Sequence, residues 1–412
     1  MNNNKFDLVV FGATSFVGQI VAAYLLRTHG VGQQVKWAIA GRSATKLTRL
    51  KEQLGAAAEG LPVVVADAKD PASLVQLCEQ TRVLVSTVGP YALYGEPVIK
   101  ACVETGTDYC DLTGEVQWIR RMIETYEAQA KASGARIVHC CGFDSIPSDL
   151  GVWYLQQQAQ KAFGVPCDSV RMRVKAAKGG LSGGTVASMV NISKEIAADP
   201  ALRKELANPY SICPPEHRPD VRQPNLKAPR YDDQFDVWLA PFIMAAINTR
   251  IVHRSNALQG AAYGENFTYD EAMMTGRGLK GRVAAYGLVA GLGGFMLGSA
   301  IKPTRWALER FVLPKPGEGP TAEAQKNGFY DLRFVGHTAA GQTITTKVTG
   351  DADPGYGSTS KMLGEAAACL AFDIGATDQP GGFWTPAALF GDQLLTRLTE
   401  RAGLTFEVVH TD

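Results

Sequence analysis

The chain has 412 residues, 46% hydrophobic and 20% charged, enough apolar material for two packed domains. Its 41 basic and 40 acidic side chains leave a net charge of +1 with no long basic run, which argues against a nucleic-acid partner. The 8 cysteines form no Cys-x-x-Cys pair and no zinc-ligand spacing, and no carboxylate–histidine grouping suggests a metal, so neither a disulfide framework nor a metal centre is expected.

Met1–Asp7 is polar and leads directly into an apolar run, without a signal-peptide pattern, so a cytoplasmic location is expected. Leu8–Phe11 reads as a strand ending in Gly12. Ser15–Thr28 has helical spacing, with Val17, Ile20, Val21, Tyr24 and Leu25 on one face. Further strands are expected at Lys36–Ala40, Pro62–Ala66, Val83–Val88, Tyr109–Leu112 and Arg136–Cys140. Helices are expected between them at Ala44–Leu54, Ala72–Glu79, Glu96–Glu104 and Val116–Lys131. Apolar strands alternating with amphipathic helices mean a parallel sheet covered on both faces. Beyond about residue 150 the pattern changes. Ser169–Ala176 alternates like a strand with one wet face, and Thr185–Leu206 reads as one long helix. Six prolines from Pro209 to Pro229 predict an irregular loop. Phe242–His253 reads as a helix, Phe329–Thr338 and Gln342–Thr349 as an antiparallel hairpin, and Ser358–Ala371 and Ala387–Arg401 as terminal helices. The fold class expected is α/β: an N-terminal Rossmann doubly wound parallel sheet over 1–150, then a second α+β domain over 151–350 for substrate binding or dimerisation. C-terminal helices over 351–412 are expected to return to the first domain.

Gly12-Ala-Thr-Ser-Phe-Val-Gly18 joins the first strand to the first helix. A dinucleotide fingerprint has three glycines; here Gly12 and Gly18 remain, with Thr14 and Ser15 between them. Gly12 would make the tight turn, Gly18 would let helix and strand approach, and the amides at Ser15, Phe16 and Val17 would meet a pyrophosphate. The second strand decides which dinucleotide. An NAD site places a carboxylate at its end, but this chain has Gly41, Arg42 and Ser43, then Lys46. Arg42 offers a planar donor fork to a 2′-phosphate, with Ser43 and Lys46 as helpers, so NADP is the expected cofactor. Asp67 after the third strand is a candidate acceptor for the adenine amine, and equally a turn carboxylate. Thr87, Val88, Gly89 and Pro90 end the fourth strand, where backbone would pass the nicotinamide ribose.

A hydride transferase needs a proton donor near the carboxyl edge of strands four to six. Tyr91, Asp111 and Asp144 are the candidates, each weighed against core packing or helix capping; Tyr94 and Glu115 lie nearby. His139, His253 and Arg254 are read as structural. Val283–Ile301 is 19 residues without a charge, with Lys280 and Arg282 before it and Lys302 and Arg305 after it. It also carries the G-x-x-x-G pairs Gly287/Gly291 and Gly294/Gly298. Three uses compete: a buried core or dimer helix, shallow contact with a membrane surface, and a full span. Peripheral contact with the inner face of a membrane, or a homodimer, would follow.

Five stretches resemble one family: Gly12–Gly18, Ala40–Ser43, Ser86–Tyr91, Tyr94–Pro97 and Gly142–Gly151 are similar to saccharopine dehydrogenase-like oxidoreductases. Tyr109–Glu115 and Lys361–Glu365 fit the branch that holds the trans-acting enoyl reductases of bacterial lipid synthesis and the animal lipid-droplet-associated homologue. The resemblance implies a Rossmann domain, a second domain on a mixed sheet, C-terminal helices returning to the first, and a nicotinamide cofactor. It leaves the substrate open. The apolar stretches point to a greasy substrate, and with the resemblance they imply reduction of an enoyl or carbonyl group on a lipid-like molecule. A non-catalytic NADP- and lipid-binding protein and a saccharopine-type amino-acid dehydrogenase are the alternatives.

Overall fold

The computed structural model describes residues 5–32, 34–180, 183–199, 201–217, 219–307, 318–375 and 378–412. They divide into two compact units. One holds the described residues among 1–146, 316–319 and 355–403; the other holds those among 147–315, 320–354 and 404–412.

The first unit is built on a sheet of seven parallel strands: β1 (Phe6–Phe11), β2 (Trp37–Gly41), β3 (Val63–Val65), β4 (Thr81–Ser86), β5 (Asp108–Asp111), β6 (Arg136–Val138) and β13 (Gly382–Trp384). Their order is β13-β6-β5-β4-β1-β2-β3, the doubly wound pattern expected from the alternation of strand and helix. β1, β2 and β4 carry runs such as Leu8-Val9-Val10 and Val83-Leu84-Val85 that are buried throughout, as strands covered on both faces must be. The connecting helices start at side-chain caps: Ser15 before Phe16–His29, Ser43 before Ala44–Leu54, and Asp70 before Pro71–Cys78. Gly106 and Gly134 end Glu96–Thr105 and Val116–Ser133 in the left-handed conformation.

The sequence reading did not anticipate β13, which pairs in parallel with β6. The helix Thr359–Phe372 lies against β1, β4, β5 and the helix Phe16–His29. Within it Glu365 is fully buried, accepting the Tyr24 hydroxyl at 2.6 Å and an Arg397 N–H at 3.1 Å. The Lys361–Glu365 motif therefore fastens this helix to the sheet's covering layer.

The second unit carries a mixed seven-stranded sheet: β7 (Ser169–Lys178), β8 (Arg230–Asp232), β9 (Val237–Pro241), β10 (Thr268–Gly276), β11 (Phe329–His337), β12 (Thr343–Gly350) and β14 (Leu404–Thr411), in the order β14-β12-β11-β7-β10-β9-β8. β7 and β10 run parallel and the other pairs antiparallel, including the expected hairpin β11–β12. β14 belongs to this sheet, so the last residues of the chain do not stay with the C-terminal helices. The single helix expected over Thr185–Leu206 is two, Gly183–Ala198 and Ala201–Ala207. The first helix ends before Asp199, whose carboxylate accepts the Ala201 N–H at 2.9 Å, and the sequence itself places a proline next, a residue that opposes helix continuation.

All of the apolar segment but its last residue, Ile301, lies in one helix, Gly278–Ala300. Only 11% of its most apolar window is buried, which removes the buried-core reading. By length and composition this is the one helix among the described residues able to cross a membrane. The Lys302 and Arg305 side chains lie outside the described residues.

Candidate active site

The turn after β1 leaves no room for side chains at its glycines. Gly12 has φ +82°, and a Cβ there would lie 2.7 Å from Val88 Cγ2 and 2.9 Å from Thr87 Oγ1. A Cβ on Gly18 would collide with the Gly12 carbonyl and with the Ala13 Cα. Ser15 caps the helix: its Oγ accepts the Gly18 N–H at 2.9 Å and is 3.1 Å from Thr87 Oγ1. Thr87 in turn donates to the Gly12 carbonyl at 3.0 Å, locking the end of β4 onto the glycine turn. Of the first helical amides, Gly18 is thus satisfied, and Phe16 and Val17 have no intrahelical acceptor. These two amides, at the positive end of the helix, suit a pyrophosphate. Ser15 serves as the cap, so its hydroxyl is committed inside the turn.

At the end of β2, Gly41 is buried and uncrowded; the nearest contact of a built Cβ is 3.7 Å, to Leu47, with Thr14 Oγ1 at 4.0 Å. Arg42 and Lys46 are exposed, and Ser43 caps the following helix by accepting the Lys46 N–H at 3.3 Å. Two cations and a hydroxyl stand where a ribose-binding carboxylate would stand in an NAD site. Together with the filled glycine positions and the open helix amides, this fits NADP. Asp67 accepts the Lys69 N–H at 3.0 Å, so one carboxylate oxygen closes a turn and the other faces no side-chain partner among the described residues. Val88 and Pro90 are half-buried and Gly89 is exposed.

The three proton-donor candidates lie close enough to influence one another, yet their environments differ. Tyr91 is buried; its hydroxyl donates to the Ser86 carbonyl at 3.0 Å and faces the Leu112 N–H at 3.4 Å, and its ring lies against Trp118. Burial, then the charge of Asp111, pushes its pKa well above the ordinary tyrosine value. A hydroxyl committed to backbone in this way suits packing better than the proton transfer considered for Tyr91. Its removal should show as stability. Tyr91→Phe leaves a buried carbonyl without its donor, at a cost of about 1–3 kcal/mol in denaturant unfolding, with turnover close to the parent's.

Asp111 is fully buried. One oxygen accepts the Thr113 and Cys140 N–H groups at 3.1 and 3.2 Å, and the other meets the Tyr109 hydroxyl at 3.0 Å and His139 Nδ1 at 2.7 Å. It ties the ends of β5 and β6 together and holds Cys140 in the left-handed region at φ +63°, a conformation that surrounding contacts must enforce. These bonds suit Asp111 to organising the two strand ends. Glu115 is also buried, accepting the Tyr91 and Ala92 N–H groups, both at 2.9 Å, and so holds the segment after β4.

Asp144 differs. It sits in the turn after β6, partly exposed, with its own backbone amide as hydrogen-bond donor. Burial of the carboxyl, opposed by that amide and reinforced by the charge of Asp111, pushes it up to about 7. Near neutrality it can both carry and release a proton, as a general acid must.

Two features escaped the sequence reading. In the second unit, Glu271 on β10 is buried, bonded to the Tyr269 hydroxyl at 2.7 Å and to Asn248 Nδ2 at 2.9 Å, and pushed up to about 7 by burial. In the first unit, Tyr356 of the turn Pro354–Ser358 reaches the glycine loop: it lies edge-on to Phe16, ring centroids 5.1 Å apart. The Gly355/Gly357 pattern around Tyr356 was the available signal, but pairing at such sequence distance has no local signature.

Comparison with known proteins agrees with this geometry. Residues 8–138, from β1 to the end of β6, match the saccharopine dehydrogenase NADP-binding domain. A Mycobacterium tuberculosis protein, itself assigned by inference as a trans-acting enoyl reductase, is 41% identical over 96% of this chain and 95% of its own. The trans-acting enoyl reductase of Mycobacterium ulcerans is 37% identical over 96% of each chain. Saccharopine dehydrogenase from Saccharomyces cerevisiae shares the fold, with a TM-score of 0.54 at 14% identity over 98% of this chain and 100% of that one. The chain thus belongs to the family of the trans-acting enoyl reductases, and is an NADP-dependent oxidoreductase on a saccharopine-dehydrogenase-like fold.

Proposed function

We propose that the protein reduces an enoyl or carbonyl group on a lipid or lipid-like substrate, with Asp144 as the proton donor. What carries this reading is the Asp144 carboxyl in the turn after β6, pushed up to about 7 by burial, in the same unit as the glycine turn suited to NADP. NADPH, when bound, supplies the hydride. The Phe16 and Val17 amides hold the pyrophosphate, and Arg42, with Ser43 and Lys46, holds the 2′-phosphate. Hydride addition to one end of the double bond leaves the other end electron-rich; Asp144 gives that atom its proton and is reprotonated from water. The names of the relatives support the enoyl form of the reaction. Incubation with NADPH and a lipid extract should yield products heavier by two hydrogens. Turnover of saccharopine instead, or NADPH binding with no oxidation by any extract fraction, would overturn the reading.

The helix Gly278–Ala300 supports the lipid part. Leu279, Met296 and Leu297 are 75%, 63% and 69% exposed, and Cβ atoms built at Gly287, Gly291, Gly293 and Gly294 meet nothing. Lys280 and Arg282 are exposed at its start, Arg282 lying over the Trp238 and Tyr286 rings. Such a helix suits shallow insertion, with cations at anionic head groups and apolar side chains below. The protein should float with anionic liposomes, and the double variant Met296→Asp/Leu297→Asp should stay at the bottom of the gradient while folding normally. A parent protein that never floats, but whose sedimenting mass halves on that double substitution, would assign the helix to a homodimer instead.

A further inference from the structure

The turn that carries Asp144 is held from a distant part of the chain. We propose that Thr359 is a positioning residue for proton transfer: its hydroxyl, by accepting the Phe143 N–H, sets the turn that carries the Asp144 carboxyl. This rests on the assignment of Asp144 as proton donor.

Thr359 is buried at the start of the helix Thr359–Phe372. The Phe143 N–H donates to Thr359 Oγ1 at 2.9 Å. The same turn closes on itself through the Ser145 and Ile146 N–H groups, which donate to the Gly142 carbonyl at 3.2 and 2.9 Å. Gly142 is the pivot. A Cβ there would lie 2.9 Å from Thr359 Cγ2 and 2.8 Å from Asp144 Oδ2, so Thr359 and the carboxyl press on the same point. A β-branched side chain suits this task. Threonine has few χ1 choices, so packing its methyl group on Gly142 also fixes where its oxygen points. The turn that precedes it, Pro354–Ser358, is π-helical and places Tyr356 against Phe16 beside the glycine loop. Such turns are rare and recur at functional sites. One short segment thus touches both the helix start that suits a pyrophosphate and the turn that bears the acid.

The titratable groups around Asp144 are Asp111 from β5, Tyr91 from the segment after β4, and Cys141 in its own turn. Substitution at Thr359 changes none of them, so a moved pH limb reports the placement of Asp144 itself. Thr359→Val keeps the shape and removes the acceptor. It should lower kcat by about tenfold or more, leave the KM for NADPH within about twofold, and move the alkaline limb of the kcat–pH profile toward lower pH as water reaches the carboxyl. Thr359→Ser keeps the acceptor and should restore the parental limb. Should the valine variant fail to fold in a thermal melt, Thr359→Ala removes the same acceptor with less crowding and carries the same expectation. A folded valine or alanine variant with the parental kcat and limb overturns the proposal, as does a kcat loss with an unmoved limb. Asp144→Asn measured in parallel separates the two ideas. If it is inactive while Thr359→Val is normal, only the role of Thr359 falls. If it turns over normally, the assignment of Asp144 falls with it.

Discussion

Replacing Asp144 with asparagine should lower kcat by about 10²–10⁴-fold, the contribution of a well-placed general acid, and leave NADPH affinity unchanged. The carboxyl of the parent is pushed up to about 7, so kcat should be flat below that pH and fall about tenfold per unit above it, as the donor loses its proton. The asparagine variant should lack this limb. Stability gives an independent check with a defined sign. The folded-state value lies above the 3.8 of the unfolded chain, so the native protein holds a proton that the unfolded chain has released. Native stability therefore declines as pH rises from about 4 to about 7. Asp144→Asn removes the buried charge, so the variant should unfold at a higher denaturant concentration than the parent at pH 8, and at a similar one at pH 4. An unchanged kcat–pH profile in the variant would transfer the proton to another group.

The second large effect concerns the cofactor. Arg42→Ala should weaken NADPH binding by about ten- to a hundredfold, the worth of a charge-assisted bond at 1.5–3 kcal/mol, and leave the weaker NADH binding nearly as it was. The basis is the pair of exposed cations at the end of β2, with no carboxylate in the Ala40–Ser43 stretch to pair with a ribose hydroxyl. Lys46 remains in the variant and keeps part of the attraction, so the loss should be smaller in high salt, where exposed charges are screened. Dissociation constants from nicotinamide fluorescence would measure both cofactors. Equal weakening of the two would remove Arg42 as the reader of the 2′-phosphate.

Much of the first unit was legible in the chain because its signals are local. The strands from β1 to β6 alternate with helices whose apolar faces recur at helical spacing, and capping serines and aspartates stand just before the helices. Gly12 and Gly18 could be recognised from spacing alone, Gly12 by the turn it makes at φ +82° and Gly18 by its crowding against Gly12 and Ala13, although the atoms that press on Gly12 come from Thr87 and Val88. The missing carboxylate after β2 was equally visible. β13 was not. It is three residues long, too short for a period, and its place beside β6 depends on pairing across more than two hundred residues of chain. The same holds for β14, which leaves the C-terminal helices to pair with β12.

At the site, sequence could name Tyr91, Asp111 and Asp144 as candidates, with Tyr91 first, but not what surrounds each of them. A strand end places a side chain at the sheet's carboxyl edge; it does not determine what surrounds it. Asp111 meets four donors, Tyr91 is sealed against Trp118 with its hydroxyl bonded to backbone, and Asp144 has little beyond its own amide. Those neighbours come from β4, the ends of β5 and β6, and the helix Val116–Ser133, so only the folded chain separates a carboxyl with few partners from one with many. The apolar run at 283–301 divides in the same way. Its composition marked it as a surface in need of cover, because uncharged residues at helical length are costly in water. Whether the protein itself provides that cover depends on where the other elements pack, and the fold leaves the helix exposed.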